Sequence, residues 1–265
     1  MSNKVIVITG ASSGIGAALA RQRASAGDSV VLAARRADKL ASVVETCGAR
    51  ALAVPADVTV RADVHRLRDA ALDTFGHVDV WVNNAGRGIN RGVLDLSDAD
   101  LDEMFLVNTK APLYGMQAIV PHFQQRGEGH VVNVSTVLTR VSSATFRSAY
   151  TAAKAALNVL TSNLRTDLGG THPRIRVSLI LPGGVPGEFQ AASLGGTPAS
   201  NAPLKGARAQ TPEEVALVIS GVIDDPVAEA YTLPVLRDLA RRFTEDADAF
   251  EQLMAAPAAQ PASRS

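Results

Sequence analysis

With 265 residues, 46% of them hydrophobic and 20% charged, the chain is long enough for one large α/β domain and does not require two. Its 26 basic and 26 acidic residues cancel, leaving no basic excess to attract nucleic acid or a membrane surface and little colloidal repulsion against self-association. Cys47 is the only cysteine, which excludes an intrachain disulfide.

The first apolar run, residues 5–8, is too short for the core of a secretion signal and is closed by Thr9-Gly10. No segment has the length of a membrane span, so a reducing cytoplasm is the expected compartment. Strands are expected at residues 5–8, 29–33, 51–54, 78–82, 130–134 and 176–181, each rich in β-branched residues and apolar throughout. Such runs suit parallel strands covered by helices on both faces. Helices are expected between them at 15–25, 37–46, 61–75, 98–125 and 148–168, where apolar residues recur every three or four positions. Ser97-x-x-Asp100 and Thr211-Pro212-Glu213-Glu214 read as helix starts, a capping hydroxyl followed by acids in the first turn. The alternation defines a single doubly wound domain over residues 1–254, with a mainly parallel sheet and helices on both faces. A Gly/Pro/Ala/Ser-rich loop without period, residues 182–210, follows the last of these strands and is expected to be functional, its substrate part falling at about 184–210. Residues 255–265 read as a flexible tail.

Between the first strand and the first helix lies Thr9-Gly10-Ala11-Ser12-Ser13-Gly14-Ile15-Gly16. Glycines there let the chain turn tightly and bring bare amides, with the helix N-terminus behind them, up to a pyrophosphate. The spacing is G-x-x-x-G-x-G rather than the general G-x-G-x-x-G. Strand two ends in Ala34-Arg35-Arg36, with no carboxylate for the adenosine ribose and two guanidinium groups suited to a 2′-phosphate. That pattern points to NADP(H) in preference to NAD(H).

Tyr150 and Lys154 are one helical turn apart and share a face of the 148–168 helix. A phenol is a poor acid–base group at neutral pH, and a nearby ammonium lowers its pKa toward the working range. Trp81 is expected in the core and Asp224-Asp225 in a solvated turn. His65, His77, His122, His130 and His172 have no metal-ligand spacing, and no metal site is expected.

These motifs resemble the short-chain dehydrogenase/reductase family in its classical form, from residue 5 to about 231. The resemblance rests on Gly10-x-x-x-Gly14-Ile15-Gly16, Asp57-Val58, Asn83-Asn84-Ala85-Gly86, Asn108, Tyr150-x-x-x-Lys154 and Pro182-Gly183, in that order. It implies a Rossmann-type domain and exchange of a carbonyl with an alcohol by hydride transfer. It further implies that Asp57 and Val58 lie beside the adenine, and that Asn84, Ala85 and Gly86 line the cofactor groove with Ser12, Ser13 and Ile15. Tyr150 is implied as the acid–base group, Lys154 as its modulator and ribose anchor, and Asn108 as support for a relay water. A homodimer or homotetramer through the two longest helices is implied too, with a small carbonyl or alcohol as substrate.

Two positions depart from the family pattern. Asn133-Val134-Ser135-Thr136 places Thr136 where a catalytic serine is usual, and its spacing to Tyr150 is one residue longer than the family's. Thr136 keeps the donor hydroxyl; Ser135 is expected to face the other way, with Ser142 and Ser143 as further candidates. Gly187 stands where the family often has a threonine on the cofactor, leaving backbone contacts from Gly183 and Val185, or a clamp from the loop beyond Glu188. Two alternatives stay open: a 3-oxoacyl-thioester reductase with a basic mouth that includes Arg87 and Arg91, and a non-catalytic NADP(H)-binding regulator.

Overall fold

The computed structural model describes residues 3–141, 144–195, 204 and 206–254. In chain order it begins β1 (Val5–Thr9), α1 (Gly14–Ser25), β2 (Ser29–Ala34), α2 (Ala37–Cys47), β3 (Ala51–Pro55), α3 (Arg61–Phe75) and β4 (Val80–Asn83). Next come α4 (Asp98–Phe105), α5 (Ala111–Arg126), β5 (Gly129–Val134), α6 (Ser148–Gly169), β6 (Ile175–Leu181) and the short α7 (Glu188–Ala191). The chain then runs through α8 (Pro212–Asp224), β7 (Glu229–Tyr231), α9 (Pro234–Glu245) and α10 (Ala247–Met254). The strands form one seven-stranded sheet in the order β3-β2-β1-β4-β5-β6-β7, and every neighbouring pair is parallel.

Strand alternation divides the apolar residues between two layers. Ile6, Ile8, Leu32 and Val82 face α1, α2 and α8, while Val7, Val31, Trp81 and Val131 face α3, α5 and α6. Both faces are therefore dry, which accounts for strands that are apolar throughout. Trp81 is fully buried, as its sequence context implies. α1 presents Gly16, Ala17, Ala18 and Ala20 inward, small side chains that let it lie close beneath α8. Buried Arg23 ties the two helices to the sheet by ion pairs to Asp28 (2.6 Å) and Asp224 (2.8 Å). Asp224 also holds Lys4, so the exposed helix end at Asp224-Asp225, expected as a solvated turn, is an anchor as well.

Both expected capping boxes form, Ser97 with Asp100 and Thr211 with Glu214. The helix expected over 98–125 is interrupted: Leu106–Lys110 forms a π-helical turn between α4 and α5. The loop after β6 contains α7, which its composition did not suggest, and β7, α9 and α10 are further additions to the expected elements. β7 spans only Glu229–Tyr231 and pairs on one side alone, a strand too short to show a period. Ser142, Ser143, much of the loop before residue 204, and residues 255–265 lie outside the described residues. Among those described, no helix is long and apolar enough to cross a membrane.

Candidate active site

The candidate groove opens at the C-terminal ends of β1, β4 and β5, the edge of a parallel sheet at which ligands gather. Its floor is the turn after β1. Gly10 (φ 66°) and Gly14 (φ 55°) adopt left-handed backbone that suits glycine. A Cβ on Gly16 would stand 2.5 Å from the Gly10 carbonyl oxygen and 2.7 Å from Asn84 Nδ2, so only a bare Cα fits. Asn84 turns its side chain back into this turn, Nδ2 donating to the carbonyls of Thr9 (2.9 Å) and Gly10 (3.2 Å). Thr9 Oγ1 in turn accepts from the backbone N–H groups of Asn84 and Ala85. Asn84 thus braces the groove from behind. Asn83 points the opposite way, donating to Asn133 Oδ1 and accepting from Trp81 Nε1.

Ser13 precedes α1 without forming a side-chain cap, and the first turn carries no acid. The leading N–H groups of α1 are left for an anion, and the donor set fits a pyrophosphate. Beside them Arg36 Nη2 donates to Ser12 Oγ (3.1 Å) and Ser13 Oγ (3.2 Å). The same guanidinium meets Glu188 of α7 at 2.8 Å, and Lys39 meets the other carboxylate oxygen at 2.6 Å. Lys39 and Arg36, helped by Ser13, push the Glu188 carboxyl down to about 2. Arg35 is exposed and makes no ion pair among the described residues. The Asp57 carboxylate accepts from the backbone N–H and hydroxyl of Thr59, shaping the turn after β3, and Val58 packs on the adjoining apolar layer.

At the far end of the groove the sequence candidates converge. Gly86 is the hub, since a Cβ there would lie 3.1 Å from Asn108 Oδ1 and 3.6 Å from Lys154 Nζ. Asn108, fully buried in the π turn, accepts from Arg87 N and donates to the carbonyls of Arg87 (2.9 Å) and Met104 (3.0 Å). Its neighbour Thr109 donates to the Ala153 carbonyl at 2.8 Å, fastening the π turn to α6 next to Lys154. Thr136 follows β5 in extended backbone; its hydroxyl accepts from Leu138 N at 3.3 Å and lies near enough to the Tyr150 hydroxyl to favour the phenolate. Ser135 is turned away as strand alternation requires, its hydroxyl donating to Asn158 Oδ1 at 2.6 Å. Beyond β6 the Pro182 carbonyl accepts from Val137 N, Gly183 sits against Leu236, and Val185 lies against the apolar layer.

Burial governs the two titrating groups. It pushes the Tyr150 phenol up to about 12, against lowering contributions from Arg147 and the Thr136 hydroxyl. It pushes the Lys154 ammonium down to about 7, and Lys154 Nζ donates to the Val134 carbonyl at 2.8 Å. Arg147, at the start of α6, is a second cation that lowers the Tyr150 phenol, in addition to the Lys154 that the helical spacing suggested.

Several neighbours of these residues carry no motif. Phe189 of α7 stacks edge-on against Tyr150, with ring centroids 5.6 Å apart, and approaches Gly86 and Gly88. Arg147, Ser193 and Lys39 complete the surroundings, and of these only Arg147 had a visible signal, its place at the start of the Tyr150 helix. Arg87 and Arg91, which the thioester-reductase alternative would use as a basic mouth, are each matched to a carboxylate, Glu103 and Asp100, both at 2.8 Å. Among the described residues no group of His, Cys, Asp or Glu side chains is placed to hold a metal.

The comparisons with known proteins agree with this geometry. Residues 4–194 match the short chain dehydrogenase family model. An uncharacterized oxidoreductase of Staphylococcus epidermidis is 35% identical over 183 residues, 69% of this chain and 78% of that protein. A short chain dehydrogenase/reductase from Burkholderia phymatum, solved with NAD, superposes with a TM-score of 0.84 at 28% identity, over 98% of this chain and 99% of that one. A metagenomic short-chain oxidoreductase solved with NADP gives a TM-score of 0.72 at 30% identity, over 87% of this chain and 97% of that one. The chain belongs to the short-chain dehydrogenase/reductase family and is an oxidoreductase of that family.

Proposed function

We propose that this protein interconverts a ketone or aldehyde with the corresponding alcohol, using NADP(H) in preference to NAD(H). The observation that carries the reading is that Asn108, Lys154 and Phe189 meet at Gly86, with Tyr150 against Phe189 and Thr136 beside Tyr150, at the end of a groove whose other end is rich in anion donors. The bound nicotinamide supplies or accepts the hydride. The residues assigned to hold the cofactor are Gly10, Ser12, Ser13, Gly14, Ile15 and Gly16 at the pyrophosphate, with Arg35 and Arg36 at the 2′-phosphate. Asp57 and Val58 are assigned to the adenine, and Asn84, Ala85, Gly86, Pro182, Gly183 and Val185 to the groove walls.

Tyr150 keeps its proton at neutral pH because burial raises its pKa, so in the reducing direction it donates to the carbonyl oxygen. Thr136 shares that oxygen as a second donor and orients the phenol. Lys154 anchors the nicotinamide ribose, and Asn108 fixes the loop at Arg87 against the π turn so that a relay water has a constant seat. The sign of the pH dependence follows. Reduction needs the phenol protonated, so it holds at low pH and falls as pH rises through the working pKa; oxidation runs the other way. The exposed faces of α5 and α6 remain the expected surfaces for a homodimer or homotetramer.

A 3-ketoacyl-(acyl-carrier-protein) reductase from Brucella melitensis is among the similar structures, at 26% identity. The pairing of Arg87 with Glu103 and of Arg91 with Asp100 disfavours that reading, because an acidic carrier would find those cations already compensated. The test is NADPH oxidation, followed by absorbance against a panel of ketones and aldehydes, in wild type and Tyr150→Phe. The variant is expected to lose about a thousandfold in kcat while NADPH affinity stays within about threefold. Equal inertness of both proteins, with NADPH still bound, would leave the regulator reading in its place.

A further inference from the structure

Among the described residues, the buried or half-buried arginines near the groove and elsewhere are mostly matched by a carboxylate. Arg23 has Asp28 and Asp224, Arg87 has Glu103, Arg91 has Asp100 and Arg140 has Glu229. Arg147 has none among the described residues, although it is only 6% exposed. Its guanidinium makes one side-chain hydrogen bond, from Nη1 to Ser193 Oγ at 2.8 Å, and rests over the Phe146 ring at 5.5 Å. A guanidinium taken out of water without a counter-charge is costly, and proteins seldom keep one without a use. Burial already pulls its pKa below the ordinary arginine value.

Its position indicates that use. Arg147 precedes the helix that carries Tyr150 and acts electrostatically on the Tyr150 hydroxyl. It shares its surroundings with Phe189, the ring that stacks on Tyr150. Gly88 provides the space: a Cβ there would fall 2.5 Å from both Arg147 Nη1 and Ser193 Oγ, and 3.2 Å from the Phe189 ring. Bare backbone, a hydroxyl and a two-pronged cation thus face one another beside the Phe189 ring that stacks on the expected proton donor. A guanidinium is the side chain best shaped to take a carboxylate through two parallel hydrogen bonds.

Resting on the carbonyl–alcohol reading above, we infer that Arg147 receives a carboxylate of the substrate, so that the carbonyl acted on belongs to an oxo-carboxylic acid. The carboxylate takes over the Nη1 bond now made to Ser193 and supplies the missing counter-charge. The neutral half of the substrate lies against Phe189, with its carbonyl oxygen toward Tyr150 and Thr136. A neutral ketone of the same size forfeits the ion pair and binds more weakly.

The test uses pyruvate, acetoacetate and 4-oxopentanoate, each beside its methyl ester. Binding is measured calorimetrically to the NADP⁺-loaded protein, where no reduction occurs, and turnover with NADPH. At least one acid is expected to bind wild type more tightly than its ester. Arg147→Met is expected to weaken that acid by about thirtyfold and the ester by less than about threefold, with Arg147→Lys between. In turnover the loss falls on KM rather than kcat. Gly88→Ala, which crowds the guanidinium without removing it, should move acid binding in the same direction and covers the case in which Arg147→Met does not fold. No acid preference in any pair overturns the inference. So does an equal loss on acid and ester through kcat, which would make Arg147 a positioning residue for Tyr150. Acid binding that depends on Arg147 but is followed by no turnover would keep Arg147 as a carboxylate site and overturn the carbonyl–alcohol reading together with the oxo-acid substrate.

Discussion

The groove has two walls of different construction. The wall from β1 and β4 is held by short buried bonds between Thr9, Asn84 and the glycine turn, and its backbone leaves no room for a Cβ at Gly10 or Gly16. The wall from the segment after β6 is held near its tip by half-exposed ion pairs from Glu188 to Arg36 and Lys39. Buried bonds inside a packed sheet survive changes of solvent, whereas exposed pairs are individually weak and screened by salt. One wall is a fixed frame and the other a contact that solvent and ligands can replace.

The sharpest way to break this contrast is in the frame. Gly16→Ala drives a Cβ into backbone, so NADPH affinity should fall by about a hundredfold or more, together with thermal stability. Fluorescence titration and a melting curve measure both, and an unchanged Kd would show that the turn yields. A smaller effect is expected where the walls meet. Arg36→Ala should weaken NADPH by about tenfold or more and NADH little, with Arg35→Ala acting in the same sense but less strongly. Equal weakening of both cofactors would remove the 2′-phosphate assignment. The smallest effect belongs to the replaceable wall. Glu188→Gln frees Arg36 and Lys39 for phosphate, so NADPH should bind about threefold more tightly at low salt, with the gain shrinking as salt rises. A loss of affinity would instead make Glu188 part of the cofactor seat.

The fixed wall was also the legible one. A left-handed glycine turn, a buried strand and a capping hydroxyl each impose a residue type on a position, so Gly10, Gly14, Gly16, Ser97 and Thr211 announce their structure locally. Thr136 and Ser135 were separable too, because strand alternation alone sends one to Tyr150 and the other to Asn158. The replaceable wall could not be read this way. Glu188, Phe189 and Ser193 gain their meaning from residues about 40 to 150 positions away, through contacts no local pattern encodes. Gly187 is an intermediate case. Its absence of a threonine was plain, but the reason is a backbone φ of 146° that a side chain resists. The influence of Arg147 on Tyr150 was hidden likewise, since spacing along a helix is silent on burial.

The π turn at Leu106–Lys110 also sets a helical phase. A π turn spends one residue more than an α turn, and each residue of an α-helix advances the side chains by about 100°. α5 therefore leaves the turn rotated relative to a straight continuation of α4. That rotation lets Met104 face Asn108 and Tyr150 while Met116, Ile119 and Phe123 face the sheet. Removing a single residue from 106–110 would unwind the offset and carry the apolar stripe of α5 about a quarter turn off the sheet. The segment is thus a gear with one extra tooth: its length in residues, more than their identity, keeps two helices in register with two different partners.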